Sequence, residues 1–303
     1  MKFSDIINPL GEGVHFYGWG YIINQLRKSI DFESTGLLIH SFVDCIFWPD
    51  KGRKLPNRDW IGFVHSAITG QPGRQEEYTL ENLIKHPSFI ASQDKCKALI
   101  VLTDHTRNYL RKQVNIPIFK IDHPKFYTGQ TFDADRYISN PRLRHSGFEL
   151  RDVAKFFTLK TSIVKDIYIG HMHNYDLIKR ELSYHAISPK QYGVNVVYKF
   201  LNNQQYSEQL ISTIGFACYY DCSASNAVLE HIMSHSPLVV NRIPPIVEYL
   251  GEDYPMYYEN ISHNLDQYLL DKSFVQQTSD YLKQQSQRKE FTIDHFCEFV
   301  NEL

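Results

Sequence analysis

Four polar side chains in one short stretch have the types and spacing to bind a phosphate and a ribose. Ser223, Ser225 and Asn226 form a small polar turn, and Glu230 follows about one helical turn later. Such residues begin helices, whose unpaired amides and positive dipole end suit a phosphate. A carboxylate one turn further can accept hydrogen bonds from ribose hydroxyls. The alternative, in which these residues bind no ligand, is an ordinary helix cap followed by a solvent-exposed glutamate.

A diphosphate at this turn needs cationic partners. Arg144 and Arg151 lie in RLRHSGFELRD, where they flank or follow the first strand of the second half. A guanidinium can hold two phosphate oxygens at once, which makes these arginines the first candidates. Lys155 and Lys160 are the alternatives.

Two histidines are candidates for a general base or a sugar contact. His65 ends the apolar run WIGFVH, and His15 lies in the glycine-rich GEGVHFYGWGYII. The glycines around His15 do not form a GxGxxG pattern after a strand, so they indicate a flexible loop at a cleft instead of a dinucleotide site. The chain has 14 histidines, and a structural role is the alternative for either one.

No metal site is expected from the sequence. His171 and His173 have no acidic or cysteine residues at ligand spacing beside them, which favours a loop pair over a zinc site. Asp133 and Asp135 lack an apolar strand before them and are expected to be solvated. We therefore expect neither a metal nor an organic cofactor.

Composition excludes several classes of protein. With 303 residues, 43% of them hydrophobic, the chain can build two ordinary folded domains. A net charge of -2 gives no reason to expect binding to nucleic acid or to an anionic membrane surface. Five scattered cysteines fit a reducing cytoplasm. No run approaches the ~20 apolar residues of a membrane span, so any membrane contact is peripheral.

Strands alternate with helices along the chain, which predicts mainly parallel sheets in an α/β fold. In the first half, strands are predicted at 37–47, 60–65, 97–103 and 116–124, with Asp104 capping the helix after the third. In the second half, helices are predicted at 149–158 and 173–182, and strands at 163–170, 195–200 and 214–220.

The stretch 123–141 is rich in Pro, Gly, Asp and Asn and is the best candidate for an interdomain linker. We therefore predict an acceptor-side domain at 1–130 and a donor-binding domain at 131–303. The last helix of the helix-rich tail can pack back on the first domain.

Two segments carry a resemblance to a known family. SASNAVLEHIMSHSPLVVNRIPPIVEYLG resembles the donor-binding domain of GT-B glycosyltransferases, and KCKALIVLTDHTRNYLRKQVNIPIFKIDHP is similar to the segment that leads to their linker. The resemblance implies an α/β fold with two Rossmann-like domains, whose mainly parallel sheets face a cleft. Ligands of such sheets bind outside the carboxyl ends of the strands.

The resemblance also implies roles for individual residues. Glu230 matches the second of two glutamates that retaining members carry with seven residues between them, and it would bind the donor ribose. The first position falls on Cys222, which cannot replace a carboxylate; the adjacent Asp221 is a possible substitute. Inverting and retaining transfer therefore stay open. An inverting reaction needs a base such as His65 or His15, whereas a retaining one can pass the proton to the leaving phosphate.

The implied function is transfer of a hexosyl or pentosyl group from a nucleoside diphosphate sugar to a hydroxyl of a glycan or lipid-linked glycan. The setting would be polysaccharide or glycoconjugate synthesis of the bacterial type, with no metal required. One alternative is a nucleotide-sugar epimerase or hydrolase of the same architecture. A second is a catalytically silent sugar-binding scaffold.

Overall fold

The computed structural model describes residues 1–9, 18–47, 57–71, 78–127, 129–189 and 192–303. The described residues contain ten strands in two five-stranded sheets. The strands are β1 Phe3–Ile7, β2 Leu37–His40, β3 Trp60–Val64, β4 Cys96–Val101, β5 Ile118–Lys120, β6 Arg142–His145, β7 Val164–Tyr168, β8 Val194–Val197, β9 Ile214–Ala217 and β10 Leu238–Val240. All pairings between them are parallel. The predicted α/β class with parallel sheets is confirmed.

Fifteen α-helices connect and cover these strands in the described residues. They are α1 Trp19–Ser29, α2 Asp44–Phe47, α3 Leu80–Leu83, α4 Pro87–Ser92, α5 Asp104–Leu110, α6 Ala134–Ser139, α7 Val153–Thr158, α8 Met172–Tyr184, α9 Asn203–Ser212, α10 Asn226–Met233, α11 Pro244–Leu250, α12 Tyr258–Ile261, α13 Leu265–Leu270, α14 Lys272–Ser286 and α15 Ile293–Glu302. Across the part of the chain that the structure describes, every helix is too short or too polar to cross a bilayer.

The order of the second sheet determines where a ligand can bind. Its strands run β10-β9-β6-β7-β8, so β9 and β6 are neighbours in space although β7 and β8 lie between them in the chain. The connections after β6 and β9 therefore diverge and leave a crevice at the carboxyl ends of these strands, where open α/β sheets bind ligands. The first sheet has the order β1-β2-β3-β4-β5.

Each sheet has its own buried core. One cluster surrounds the second sheet, and two clusters cover the faces of the first. The C-terminal helix α15 belongs to the first sheet's core, because Phe296 and Val300 pack in one cluster with Ile22 and Leu26 of α1. The division at residue 130 remains a prediction.

Several predicted element boundaries differ from the structure. The predicted strand 37–47 ends at His40, and Asp44–Phe47 forms α2, because the Asp44 carboxylate accepts hydrogen bonds from the amides of His65 and Ser66. The helix after β4 is capped by Thr103, and Asp104 is its first residue. The strand β1 was not predicted.

The predicted linker is more ordered than its composition indicates. It contains α6, whose first turn is capped by the Asp133 carboxylate, and Asp135 forms an ion pair with Lys272 at 2.5 Å. Similarly, the helix predicted at 149–158 starts only at Val153, with Asp152 as its cap. The residues before it form a loop that reaches the candidate site.

Candidate functional site

A cavity of about 610 Å³ lies at the carboxyl ends of the second sheet and faces residues of the first half. This volume suits a nucleotide-sized ligand. Every candidate site residue that the structure describes lines it: His65, Arg144, Arg151, Ser223, Ser225, Asn226 and Glu230. His15 lies outside the described residues. The alternative cations Lys155 and Lys160 are not among the lining residues, and Lys155 instead lies over the Tyr258 ring at 4.5 Å.

Arg151 lies at the N-terminus of α10. Its guanidinium carbon is 4.5 Å from the centre of the Tyr219 ring, and Nη2 donates to the Tyr219 hydroxyl at 3.1 Å and to Ser225 Oγ at 3.2 Å. Ser225 caps α10 by accepting from the Val228 amide. A fixed guanidinium is thereby placed beside the amides of a helix start, an arrangement that attracts phosphate oxygens.

The loop that carries Arg151 has an unusual backbone. Gly147 has φ +78°, and a β-carbon there would lie 2.7 Å from the guanidinium carbon of Arg151. Leu150 has φ 59°, a conformation that is costly for a residue with a side chain. Glycine at 147 therefore leaves room for the guanidinium against the backbone, and the surrounding contacts hold Leu150 in its strained conformation.

Glu230 is buried in a charged network instead of facing solvent. Its Oε1 accepts from Lys125 Nζ at 3.1 Å, and its Oε2 accepts from the Tyr206 hydroxyl at 2.7 Å. The Lys125 side chain is 0% exposed and that of Glu230 is 6% exposed. A carboxylate has about four lone-pair sites, so Glu230 can still accept hydrogen bonds from a ligand. Gly215 lets α10 lie close to β9, since a β-carbon there would be 2.4 Å from the His231 ring.

Several buried polar atoms at the cavity have no hydrogen-bond partner among the described residues. Among them are the donors Nε and Nη2 of Arg144, Nε of Arg151 and Oγ of Ser223. Arg144 is only 3% exposed, and its guanidinium carbon lies 4.9 Å from the centre of the Tyr206 ring. Buried polar groups normally have partners, so these atoms are placed to donate to a ligand.

The opposite wall of the cavity is aromatic. The His65 ring stacks on Phe42 at 4.2 Å and meets the edge of Trp19 at 4.4 Å. Both His65 Nε2 and Trp19 Nε1 contact the Ser41 carbonyl, at 3.1 and 2.7 Å. Because that partner only accepts, Nε2 of His65 carries the proton and Nδ1 is left as an acceptor. Burial, reinforced by the charge of His123, lowers the pKa of His65 to about 3.

The sequence resemblance predicted Cys222 at the position of the first glutamate of retaining members and Asp221 as a possible substitute, and neither residue offers a free carboxylate. Asp221 Oδ2 accepts from the amide and hydroxyl of Thr69 at 2.9 and 3.1 Å, and Oδ1 lies 3.6 Å from His105 Nε2. Burial raises the pKa of Asp221, but hydrogen bonds from His105 and Thr69 lower it overall. Burial raises the pKa of the Cys222 thiol, which stays protonated.

Residues with metal-ligand chemistry meet elsewhere in the fold. Asp152, Glu181 and His185 place ligand atoms within 4.8 Å of one another, outside the cavity lining. The Tyr220 hydroxyl already contacts Glu181 at 3.1 Å and His185 at 3.0 Å there. His171 and His173, the pair considered in the sequence analysis, have different surroundings. His171 precedes α8 and lines the cavity, whereas His173 lies 3.9 Å from Glu149.

Sequence reasoning missed Lys125, Tyr206, Tyr219, Trp19 and His123 as residues of the site. Lys125 and Glu230 are 105 positions apart, and no local pattern links them. Tyr219 was within a predicted strand, and its position at the carboxyl end of that strand was the one available signal.

Buried histidines near the site predict a pH dependence of stability. Burial lowers the pKa of His123 to about 4 and that of His145 and His231 to about 3. The unfolded chain, with histidine pKa values of about 6.5, therefore takes up protons first as the pH falls. The stability that these neutral histidines contribute is fully present above about pH 7. It is lost as the pH falls below about 6.5, by up to about 1.4 kcal/mol per pH unit for each histidine.

Urea unfolding at pH 7, 6 and 5 measures this loss. The raised pKa values of carboxyl groups such as Asp44 and Glu181 increase stability as the pH falls, which opposes the histidine effect. The wild-type chain is therefore compared with His145→Phe, in which only one histidine contribution is removed. The variant should lose less stability per pH unit than the wild-type chain, by up to about 1.4 kcal/mol. Equal slopes would show that His145 is not held neutral by the fold.

No protein-family model matches the chain, and no curated protein matches its sequence. Solved structures do match. Sucrose-phosphate synthase from Thermosynechococcus elongatus is 11% identical, with a TM-score of 0.68, 100% of this chain covered and 98% of the other. TarM is 13% identical with a TM-score of 0.65; 94% of this chain is covered, and it spans 57% of the TarM chain.

A third match is a structure of trehalose-6-phosphate synthase that was determined to study the mechanism of glycosyltransfer with retention. It is 9% identical, with a TM-score of 0.55 and coverage of 93% of this chain and 78% of that one. A further structure, of a variant of S. aureus TarM, contains UDP and α-GlcNAc-glycerol. Two facing parallel sheets and these likenesses show the GT-B fold, as the sequence predicted.

Proposed function

We propose that this GT-B chain is a glycosyltransferase that moves a hexosyl or pentosyl group from a nucleoside diphosphate sugar to a hydroxyl of a glycan or lipid-linked glycan. The observation that carries the proposal is the convergence of unpartnered, buried polar atoms on one cavity, with Arg144, Arg151 and Ser223 among their sources in the described part of the chain. An anionic ligand with several acceptor oxygens would satisfy all of them.

The diphosphate is assigned to the start of α10. There the Arg151 guanidinium, whose Nε has no partner among the described residues, lies against the Ser225 cap of the helix, and Ser223 Oγ adds a neutral donor. Arg144 would bind a further phosphate oxygen. These groups supply the positive charge that the departing diphosphate needs, so we propose a step that does not depend on a metal.

The ribose and base are assigned along the same sheet. Lys125 and Tyr206 hold the Glu230 carboxylate so that its remaining lone pairs can accept from the ribose hydroxyls. Beyond it, Gly170 and Phe200 follow β7 and β8, and the His171 ring lies 5.1 Å from Phe200. A base can lie against these residues at the far end of the cavity.

The transferred sugar and the acceptor are assigned to the wall of the first half. Trp19, Phe42 and His65 present aromatic surface and polar edges, a combination that suits a sugar ring. The binding of UDP and a glycosylated glycerol by a TarM variant supports a donor and an acceptor of this kind. A role in polysaccharide or glycoconjugate synthesis follows as part of the proposal.

We propose retention of configuration for the transfer. A general base works best with a pKa near the operating pH, and His65, with a pKa of about 3, is a weak base. Asp221 is engaged by Thr69 and His105. The proton of the acceptor hydroxyl would then pass to the oxygen of the leaving diphosphate as the glycosidic bond to that oxygen breaks. His65 Nδ1 would accept a hydrogen bond from the sugar.

The test is a turnover assay with nucleoside diphosphate hexoses and pentoses, with and without hexoses, hexose phosphates and oligosaccharides as acceptors. We expect free nucleotide to be released only when an acceptor is present, with the anomeric configuration kept in the NMR spectrum of the product. Release or alteration of the sugar without an acceptor would identify the epimerase or hydrolase. No turnover under any condition would favour the silent scaffold.

A further inference from the structure

The side chain of Gln71 crosses from the first half of the chain into the second. Its Oε1 accepts from the Leu150 amide at 2.7 Å, and its Nε2 donates to the Arg151 carbonyl at 3.3 Å and to the Glu181 carboxylate. Gln71 is 5% exposed. The amide therefore binds the backbone on both sides of the Leu150–Arg151 pair, through its oxygen at the Leu150 N–H and through its nitrogen at the Arg151 carbonyl.

The loop that Gln71 contacts needs such support. Leu150 has φ 59°, a strained conformation that persists only where surrounding contacts hold it. The Leu150 carbonyl accepts from the Tyr220 amide at 3.0 Å, which fixes the other side of the loop. The Arg151 guanidinium reaches Tyr219 and Ser225 from this backbone, so a shift of the backbone would move it away from the start of α10.

A neighbouring residue provides an internal comparison. Thr69 lies two positions before Gln71 and also binds the second half, through its amide and hydroxyl on Asp221. In the part of the chain that the structure describes, Thr69 makes no hydrogen bond to the loop of Arg151. Thr69 and Gln71 thus both attach the same segment to the second sheet, but Gln71 alone of the two contacts the residues that carry the guanidinium.

We propose that Gln71 is a positioning residue for Arg151. The position of the phosphate-binding guanidinium thus depends on how residues 69–71, which belong to the acceptor-side half, are attached to the second half. The inference rests on the proposed function, because it concerns the diphosphate of the same donor. Donor binding and the approach of the two halves are then coupled, since each stabilises the arrangement that the other requires.

Calorimetric titration with UDP, GDP, ADP and CDP tests this role in a double-mutant cycle. We expect Gln71→Met to weaken binding of the best nucleoside diphosphate about tenfold, and Thr69→Val to change it by less than about twofold. In an Arg151→Met background, Gln71→Met should have little further effect, because the group that it positions is gone. If Gln71→Met does not fold, as judged by circular dichroism, Gln71→Asn takes its place.

Three results would overturn the inference while leaving the proposed function intact. The first is wild-type affinity in Gln71→Met, and the second is additive weakening by Gln71→Met and Arg151→Met. Equal weakening by Thr69→Val and Gln71→Met would also overturn it, because general attachment of the segment would then explain the loss. If the wild-type chain binds none of the four nucleotides, the proposed function fails, and this inference fails with it.

Discussion

Replacement of Arg151 by methionine should weaken the binding of a nucleoside diphosphate by about 100-fold. Two or more charge-assisted hydrogen bonds to phosphate oxygens would be lost, and a factor of 100 corresponds to about 2.7 kcal/mol. Methionine keeps a flexible apolar contact with Tyr219, over which the guanidinium lies at 4.5 Å. The measurement is a calorimetric titration of both proteins with UDP, GDP, ADP and CDP.

Arg242→Met is the matched control for this substitution. Arg242 lies over the Tyr257 ring at 4.4 Å, the same kind of stacking contact, but it is not among the residues that line the cavity. It should leave nucleotide affinity unchanged. If Arg151→Met binds nucleotides as well as Arg242→Met does, the diphosphate does not bind at the start of α10.

Replacement of Lys125 by methionine should lower the free energy of unfolding by about 3 to 5 kcal/mol. The ion pair with Glu230, at 3.1 Å, is shielded from water, with side-chain exposures of 0% and 6%. Without Lys125, the Glu230 carboxylate is a buried charge whose remaining hydrogen-bond partner in the described residues is the Tyr206 hydroxyl. Breaking a buried pair in this way is costly, whereas exposed pairs contribute little. Urea unfolding measures the loss.

The exposed pair of Lys272 and Asp135 serves as the comparison, with side-chain exposures of 55% and 79%. Lys272→Met should cost at most about 1 kcal/mol. The double variant Lys125→Met with Glu230→Gln should be more stable than Lys125→Met alone, because no charge is left buried. A loss of under about 1 kcal/mol for Lys125→Met would mean that Glu230 is not dependent on this lysine.

The elements at the centre of the proposed donor site could be predicted from the sequence because their signals are local. The run after residue 220 contains a cap, an apolar helix and a short buried strand in succession, and the structure has them as Ser225, α10 and β10. Arg151 lies beside this turn in the structure, since the loops after neighbouring parallel strands meet at one edge of a sheet, and its role with a phosphate stays a prediction.

The partners of Glu230 could not be predicted, for a physical reason. Lys125 follows a proline at the end of the first sheet, and Tyr206 lies on α9; only the packing of the second sheet brings them to one carboxylate. The same holds for Asp221, which the sequence offered as a substitute for the missing glutamate. Its attachment to Thr69, 152 positions away, depends on how the two halves meet.

Local ambiguity explains the errors in element boundaries. Thr103 and Asp104 are both good helix caps, and the sequence gives no preference between adjacent residues of this kind. The run 37–47 is apolar enough for a strand, but Asp44 receives amide hydrogen bonds from a neighbouring connection and ends it. The strand β1 carries Ser4 and Asp5 between its apolar residues, which breaks the apolar run, and aspartate is depleted in strands.

The central claim is that the cavity binds the nucleoside diphosphate part of a sugar donor. The most direct test is a thermal-shift screen of UDP, GDP, ADP and CDP on the wild-type chain and on Glu230→Ala, each compared with its own unliganded midpoint. At 100 times its Kd, a ligand adds about 2.7 kcal/mol, which corresponds to a rise of roughly 5 °C or more. We predict such a rise with at least one nucleotide, and its loss in Glu230→Ala. If no nucleotide shifts the wild-type chain, or if Glu230→Ala keeps the full shift, the assignment of the site is wrong.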